Sequence, residues 1–179
     1  KKFDNLTFKT GAGAGYKQIM PRTVTNANYK TDATVPGMSA TGYLSFGNKK
    51  FRITAGGVYG NNATDVMSIG GFAVKEITDT AKNFYDYTTL SSASLWADMS
   101  FNTGGFHFGV FGGYVKHLGA ADEIVGQSWG LANNMAYLYR LAPRVWYQKK
   151  SFRISFELEH TASAFGNPDE NGIVRDAEE

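Results

Sequence analysis

Three features of the sequence predict an all-β fold built from antiparallel, up-and-down strands. Seven segments alternate apolar and polar side chains with a period of two residues. The links between them alternate between tight turns and long polar stretches. The chain has 21 Gly, 15% aromatic residues and only 4 Pro, which favours strands over a helical bundle or a disordered chain. Residues 1–179 are predicted to form a single domain.

The clearest alternation lies near the end of the chain. One face of this segment carries Phe152, Ile154, Phe156 and Leu158, and the other carries Arg153, Ser155, Glu157 and Glu159. No helix gives this pattern, because residues two apart share a face only in a strand. By the same criterion, strands are predicted at about residues 6–19, 39–46, 50–59, 90–101, 106–116, 134–147 and 152–163.

The links between the predicted strands are of two kinds. Tight hairpin turns are predicted at 47–49, 102–105 and 148–151, where Gly, Asn and Lys cluster. Long polar connections are predicted at about 21–38, 60–90, 117–133 and from 166 onwards. Outer-membrane β-barrels show this alternation, with short turns at one end and longer loops at the other.

The two faces of the strands differ in a way that favours a membrane. Phe, Leu, Ile, Met and Ala occupy the middle of the apolar face, and Tyr59, Tyr114, Tyr137 and Tyr147 lie nearer the strand ends. Tyr prefers the headgroup level of a bilayer. No apolar run reaches the roughly 20 residues that a membrane helix needs. The prediction is therefore a transmembrane β-barrel of the bacterial outer membrane, in contact with its lipid; a soluble lipid-binding barrel is the alternative.

The number of strands bears on completeness. The Lys-Lys-Phe spelling at residues 1–3 recurs at 49–51, which suggests that Lys1–Asn5 is a hairpin turn with a strand before it. Seven strands is an odd number, whereas bacterial single-chain barrels use even numbers. We therefore expect strands to be missing at both ends. In the alternative, residues 1–5 belong to a strand and eight strands close alone.

If the polar face lines a lumen, its charged side chains are the candidate pore-lining residues. The basic ones are Lys9, Lys17, Arg52, Arg140, Arg144 and Arg153, and the acidic ones are Asp98, Glu157 and Glu159. Because basic side chains lower the barrier for anions, this excess predicts a channel for small anionic solutes. The alternative is that the arginines brace the wall, for example through Arg153 paired with Glu157 or Glu159.

Five stretches with a shared likeness occur in a consistent order along the chain, at 56–60, 69–75, 108–119, 137–145 and 157–162. Together they resemble DcaP-like bacterial outer-membrane porins, especially the versions common in Bacteroidetes. The resemblance implies a homotrimer with an arginine-lined constriction, taking up small anions such as dicarboxylates. It further implies that Arg140 and Arg144 face the lumen, that the chain is the carboxy-terminal part of the barrel, and that Asn61–Thr88 is an extracellular loop without a strand.

Other chemistries find little support in the sequence. The three histidines are too scattered for a zinc signature, and a net charge of +2 does not favour nucleic acid. Ser155 or Ser163 near His160 could suggest an outer-membrane lipase, but no acid completes a triad. The glycines at 11, 13 and 15 precede no helix pattern, so we interpret them as wall positions that leave room for bulky neighbours. We expect no catalytic residues, no metal and no cofactor.

Two functions therefore compete. The first is a porin for passive diffusion of small hydrophilic, anionic solutes. The second is a non-conducting barrel that anchors a surface complex and binds a protein partner through the long outer connections at 60–90 and 117–133. The acidic stretch from Asp169 to Glu179 could contact cations bound to lipopolysaccharide, although a solvated loop is the favoured explanation.

Overall fold

The computed structural model describes residues 2–3, 6–67 and 69–179, and these form one antiparallel sheet. Its strands are β1 Lys2–Phe3, β2 Leu6–Ile19, β3 Val35–Gly47, β4 Phe51–Asn61, β5 Gly70–Asp79, β6 Phe84–Thr103, β7 Phe106–Ala120, β8 Ser128–Leu131, β9 Met135–Lys149, β10 Phe152–Glu157, β11 His160–Pro168 and β12 Val174–Glu178. Within the described residues, no helix is long and apolar enough to cross a membrane. The all-β, antiparallel prediction is confirmed.

The main path of the sheet runs β1-β2-β3-β4-β6-β7-β9-β11-β12. Strands β10 and β11 both pair with β9, one after the other, so together they act as one long strand. The break between them has a local cause. Leu158 N–H donates to the Pro143 carbonyl at 3.0 Å, but proline has no N–H to donate back. The seven predicted strands are therefore all present, and consecutive ones are neighbours in space once the β5 hairpin is set aside.

The sheet is open rather than closed into a barrel. Its long edge strands are β2 and the β10–β11 pair, and the alternating directions along the path make these two edges run the same way. The short strands β1 and β12 lie outside these edges, each antiparallel to its neighbour. Closure and membrane insertion thus stay predictions.

The tight turns lie where the sequence predicts them. Gly47 and Phe51 flank the first, in which Asn48 Oδ1 accepts hydrogen bonds from the N–H groups of Lys50 (2.7 Å) and Phe51 (3.0 Å). Gly104, with a φ of 62°, occupies the second. The third follows Lys149. Near the start, Lys2 and Phe3 pair with Thr7 and Leu6, so the chain reverses there; residues 1, 4 and 5 of the predicted Lys1–Asn5 turn lie outside the described residues.

The prediction that Asn61–Thr88 is a loop without a strand is wrong. Gly70–Asp79 forms β5, which pairs with an extension of β6 that begins at Phe84. The connection at 117–133 likewise contains β8, which pairs with β5, and the end of the chain contains β12. Strand β5 was not predicted because its first four residues, Gly70–Ala73, show no apolar–polar alternation.

Pairing registers assign every main-strand residue to one of two faces, because antiparallel partners point the same way. On one face, eighteen large apolar side chains are each more than 40% exposed. They are Phe8, Tyr16, Met38, Leu44, Phe46, Ile53, Tyr59, Leu95, Met99, Phe101, Phe106, Phe108, Tyr114, Leu141, Phe152, Ile154, Phe156 and Leu158. We call this the apolar face and the opposite one the polar face.

Aromatic side chains mark both ends of the apolar face. Near the tight turns the rings are mainly Phe, and Phe106 packs on Tyr147 with centroids 4.9 Å apart. Near the long connections they are Tyr, and Tyr114 stacks on Tyr137 at 5.7 Å. Phe51 and Tyr59 are eight residues apart on β4, which is about 26 Å along a strand. If the strands were tilted by about 40°, as in closed barrels, the two aromatic rows would be about 20 Å apart along the barrel axis.

The buried core lies at the end of the sheet that carries the long connections. One cluster contains Val35, Val74 and Tyr87; another contains Ile69, Val115 and Met135. Ile69 lies against the polar face, because Ser92 Oγ donates to the Ile69 carbonyl at 2.9 Å and Ser92 pairs with Gly60 on that face. The long connections are therefore packed structure rather than free loops.

The turn between β11 and β12 depends on one carboxylate. Asp169 accepts hydrogen bonds from Arg175 Nε (2.8 Å), Ile173 N–H (2.9 Å) and Asn171 N–H (3.1 Å). The Arg175 hydrogen bond, followed by those two N–H groups, lowers the pKa of Asp169 from its ordinary value of 3.8.

A pH dependence follows from this turn. Since the folded-state pKa is depressed, the stabilisation is complete above about pH 4 and is lost as pH falls below that value. We expect hydrogen-exchange protection of the Asn171 and Ile173 amides to fall on acidification, and Asp169→Asn to lower it at neutral pH. Protection that is unchanged in both cases would contradict this role for Asp169.

Candidate functional site

All nine predicted pore-lining residues lie on the polar face. In the registers, Arg52 is followed across the sheet by Ser100, Gly109, Arg144 and Glu157, one residue from each successive strand. A neighbouring row runs from Lys9 through Ser45 and Thr54 to Asp98. Arg140 pairs with Thr161, and Arg153 with Gln148. Lys17 lies nearer the long connections. The strand alternation alone was sufficient to place these side chains on one surface.

Arg144 is the centre of a charged cluster that spans β6 to β10. Its Nη2 lies 2.6 Å from Asp98 Oδ2, and its Nη1 lies 3.9 Å from Glu157 Oε2. To reach Asp98 the side chain crosses β7 at Gly109, where a Cβ would lie 2.8 Å from Arg144 Nε and 3.2 Å from its Cγ. The absent side chain at Gly109 therefore leaves the path for the guanidinium.

Arg140 also has an acidic partner. Its Nη1 lies 3.3 Å from Glu159 Oε2, and its Nε donates to Thr161 Oγ1 at 3.0 Å. Arg140 and Arg144 are thus both engaged by carboxylates, which is the arrangement expected of residues that brace the wall. The pairing predicted for Arg153 with Glu157 or Glu159 is not formed among the described residues; its guanidinium instead lies 5.0 Å from the Trp146 ring centroid.

The cations therefore fall into two groups. Lys17 Nζ lies 2.6 Å from Asp65 Oδ1, and this hydrogen bond holds the pKa of Asp65 below its ordinary value. Lys9, Arg52 and Arg153 form no ion pair with the described acidic residues. These three carry the unbalanced positive charge of the polar face, which makes them better candidates for attracting anions than Arg140 and Arg144.

The polar face also carries aromatic residues, which the predicted set of pore-lining residues did not include. One register row reads Gly11, Tyr43, Gly56, Trp96, Gly113 and Arg140 across six strands. The Tyr43 ring covers Gly11, and the Trp96 ring covers Gly56, where a Cβ would lie 2.8 Å from it. The interpretation of Gly11 as a position that leaves room for a neighbouring side chain is confirmed. Alternation of Gly with aromatics across strands is visible only once the register is known.

A substitution at Gly109 tests whether the crossing of β7 matters. We expect Gly109→Ala to displace Arg144 from Asp98 and to lower the free energy of unfolding by about 1–2 kcal/mol, the range for a charge-assisted hydrogen bond in a partly exposed site. Gly112→Ala on the same strand is the matched control, because a Cβ there meets nothing within 4 Å. Equal effects of the two variants, measured by denaturant unfolding, would contradict the proposed path.

The hydrolase alternative is not favoured by the geometry. His160 pairs with Leu141 on the apolar face and its ring contacts Tyr139, whereas Ser155 and Ser163 lie on the polar face. Histidine and serine therefore point to opposite sides of the sheet. In the described part of the chain, no group of three His, Cys, Asp or Glu residues could hold a metal ion.

Comparisons with known proteins add no assignment. No protein-family model matches the chain, and neither a curated protein nor a solved structure matches it. Support for a function therefore comes from the molecule itself: one face of the sheet is apolar and exposed, and the other carries the charged residues.

Proposed function

We propose that this chain forms the wall of an outer-membrane porin, a passive pore for small hydrophilic anions. In this proposal the apolar face contacts lipid and the polar face lines water. The observation that carries it is the exposure of eighteen large apolar side chains on a single face. Soluble monomers rarely expose apolar patches beyond a few hundred Å².

The arrangement along the strands supports a bilayer as the apolar environment. Leu44, Ala55, Ala97 and Leu141 share a register row between the two aromatic rows. An apolar band flanked by aromatic rows, about 25 Å tall, is the outer surface of transmembrane barrels. The separation of about 20 Å estimated from Phe51 and Tyr59 is close to that height.

The crowding of the polar face supports its assignment as the concave side. Most glycines of the main strands lie there, and Tyr43, Trp96 and Arg144 lie flat over glycines of neighbouring strands. The inner side of a closed sheet has less room per residue than the outer side, so small residues are favoured there. This argues against a soluble lipid-binding barrel, whose apolar face would be the crowded interior.

The proposal requires the sheet to close. Because β2 and β10–β11 run in the same direction, they cannot pair antiparallel, and at least one strand of opposite direction must lie between them. Strands β1 and β12 run in that direction and mark where such strands would lie. A homotrimer in the bacterial outer membrane, and dicarboxylates among the solutes, are proposed on the family resemblance alone.

Planar-bilayer recording tests the pore. The expected result is a stable conductance with a reversal potential that favours chloride over potassium in a KCl gradient. Replacing Arg52 and Arg153 with Gln should reduce that preference, since neither forms an ion pair with the acidic residues that the structure describes. Absence of conductance from protein that is folded and inserted would overturn the porin assignment, and solubility of the folded protein without detergent would overturn the membrane assignment.

One observation favours a second candidate, a non-conducting anchor for a surface complex. The connections at 62–83 and 121–134 form packed structure, including the Phe72–Trp129 stack at 5.5 Å, and such a surface is suited to a protein partner. Insertion without conductance, together with co-purification of a stoichiometric partner, would favour this candidate.

A further inference from the structure

A cavity of about 380 Å³ lies among the long connections, away from the charged cluster of the polar face. Its aromatic wall consists of Phe72, Tyr87 and Trp129, which contact one another: Phe72 stacks on Trp129 at 5.5 Å, and Tyr87 lies 5.8 Å from Phe72 and 6.0 Å from Trp129. Because these rings come from β5, β6 and β8, the cavity exists only where the β5 hairpin folds beside β8. The volume is large enough for a ligand of the size of one or two sugar rings.

Arg22 provides the charge of this cavity. Its guanidinium lies 4.0 Å from the centroid of the Tyr85 ring, and its Nη2 donates to the Asn83 carbonyl. Its Nε is buried and has no hydrogen-bond partner among the described residues. No described carboxylate forms an ion pair with Arg22, so a half-buried cation is left without a counter-charge. Such a site favours an anion, since a desolvated cation is costly unless it is paired.

Two amides complete the polar part of the lining. The side chains of Asn26 and Gln127 border the cavity and form no hydrogen bond within the described residues. A simple aromatic carboxylate would pair with Arg22 and pack on the rings, but it would offer no hydroxyls to the two amides. A pyranose ring stacks its apolar face on aromatic side chains and offers hydroxyls to amides.

We propose that this cavity binds an acidic sugar of the uronate type: a pyranose ring that carries a carboxylate. The carboxylate pairs with Arg22, the ring stacks on Trp129, and the hydroxyls hydrogen-bond to Asn26 and Gln127. The inference does not depend on conductance or on the lining of the lumen, because the site lies within the β5 hairpin, residues 126–129 and the connection at 20–34.

Calorimetric titration of the folded, detergent-solubilised chain tests the proposal, with glucuronate, glucose, benzoate and acetate as probes. We expect glucuronate to bind at least about tenfold more tightly than each of the others, since only it combines charge, ring and hydroxyls. Arg22→Gln should weaken glucuronate binding about tenfold or more while leaving the already weak affinity for glucose unchanged. Arg175→Gln is the control, because Arg175 belongs neither to the lining of this cavity nor to the charged cluster of the polar face.

A second variant distinguishes loss of glucuronate binding from loss of folding. Gln127 is exposed, so Gln127→Ala should leave the unfolding transition unchanged yet reduce glucuronate affinity several-fold. Benzoate or acetate binding as tightly as glucuronate would overturn the sugar assignment. No measurable glucuronate binding to the folded chain, or equal losses in Arg22→Gln and Arg175→Gln, would overturn the site itself. Conductance, measured separately, would be unaffected by either result.

Discussion

Leu44→Arg is expected to lower the free energy of unfolding from a lipid bilayer by about 2–4 kcal/mol, the cost of an arginine on the lipid side of a barrel near the midplane. Leu44 is 56% exposed and lies in the register row between the aromatic rows of the apolar face. In water, an exposed leucine replaced by arginine would cost little. The expected loss therefore arises only if this face contacts hydrocarbon. Urea unfolding from phospholipid vesicles measures it.

Thr41→Arg is the control on the same strand. Thr41 is exposed on the polar face, where it donates one hydrogen bond to the Gly57 carbonyl at 3.1 Å. Its replacement should cost no more than that hydrogen bond, about 1 kcal/mol. If the two arginine variants are equally stable in vesicles, or if Thr41→Arg is the more damaging, the apolar face is not the lipid-facing side.

Arg144→Leu is expected to shift ion selectivity of the pore towards cations and to destabilise the sheet. Without the guanidinium, Asp98 and Glu157 keep their negative charges on the polar face with no arginine between them. The stability loss should be about 1–2 kcal/mol, because the side chain is partly exposed and solvent weakens the pair. The reversal potential in a KCl gradient and denaturant unfolding measure the two effects.

The Asp98→Asn/Arg144→Leu double variant separates charge from bracing. Its net charge equals that of the native chain, so its selectivity should return close to the native value. Its stability loss should be smaller than the sum of the two single losses, because the residues contact each other at 2.6 Å. Arg175→Leu, which breaks an arginine–aspartate pair outside the polar face, should leave selectivity unchanged. Additive stability losses in the double variant would contradict direct coupling.

The charged residues illustrate what strand alternation can and cannot predict. Alternation placed Arg52, Arg140, Arg144 and Arg153 on one face, because side chains in a strand point to alternate sides whatever the register. It could not say which of them have acidic partners, since Arg144 reaches Asp98 from a distance of 46 residues in the chain. The register decided that Arg140 and Arg144 meet carboxylates, while Arg52 forms no ion pair with the described acidic residues.

The long connections show the other limit. Strand β5 pairs with β8 and with the extension of β6, outside the part of the sheet that carries the apolar face. Their order comes from contacts such as that between Phe72 and Trp129, which are far apart in sequence. The candidate sugar site could not be predicted from the sequence. Arg22 lies over the Tyr85 ring and forms no ion pair with the described carboxylates, and both facts depend on residues that are distant in the chain.

The sequence by itself determined the seven main strands, the tight turns and the division of the main-strand side chains into two faces. These depend on local geometry: a period of two, and turn residues such as Asn48 and Gly104. Only the tertiary structure decided the register, the ion pairs across strands and the packing of the β5 hairpin. Those depend on which distant residues meet, and contacts of that kind leave no period in the sequence.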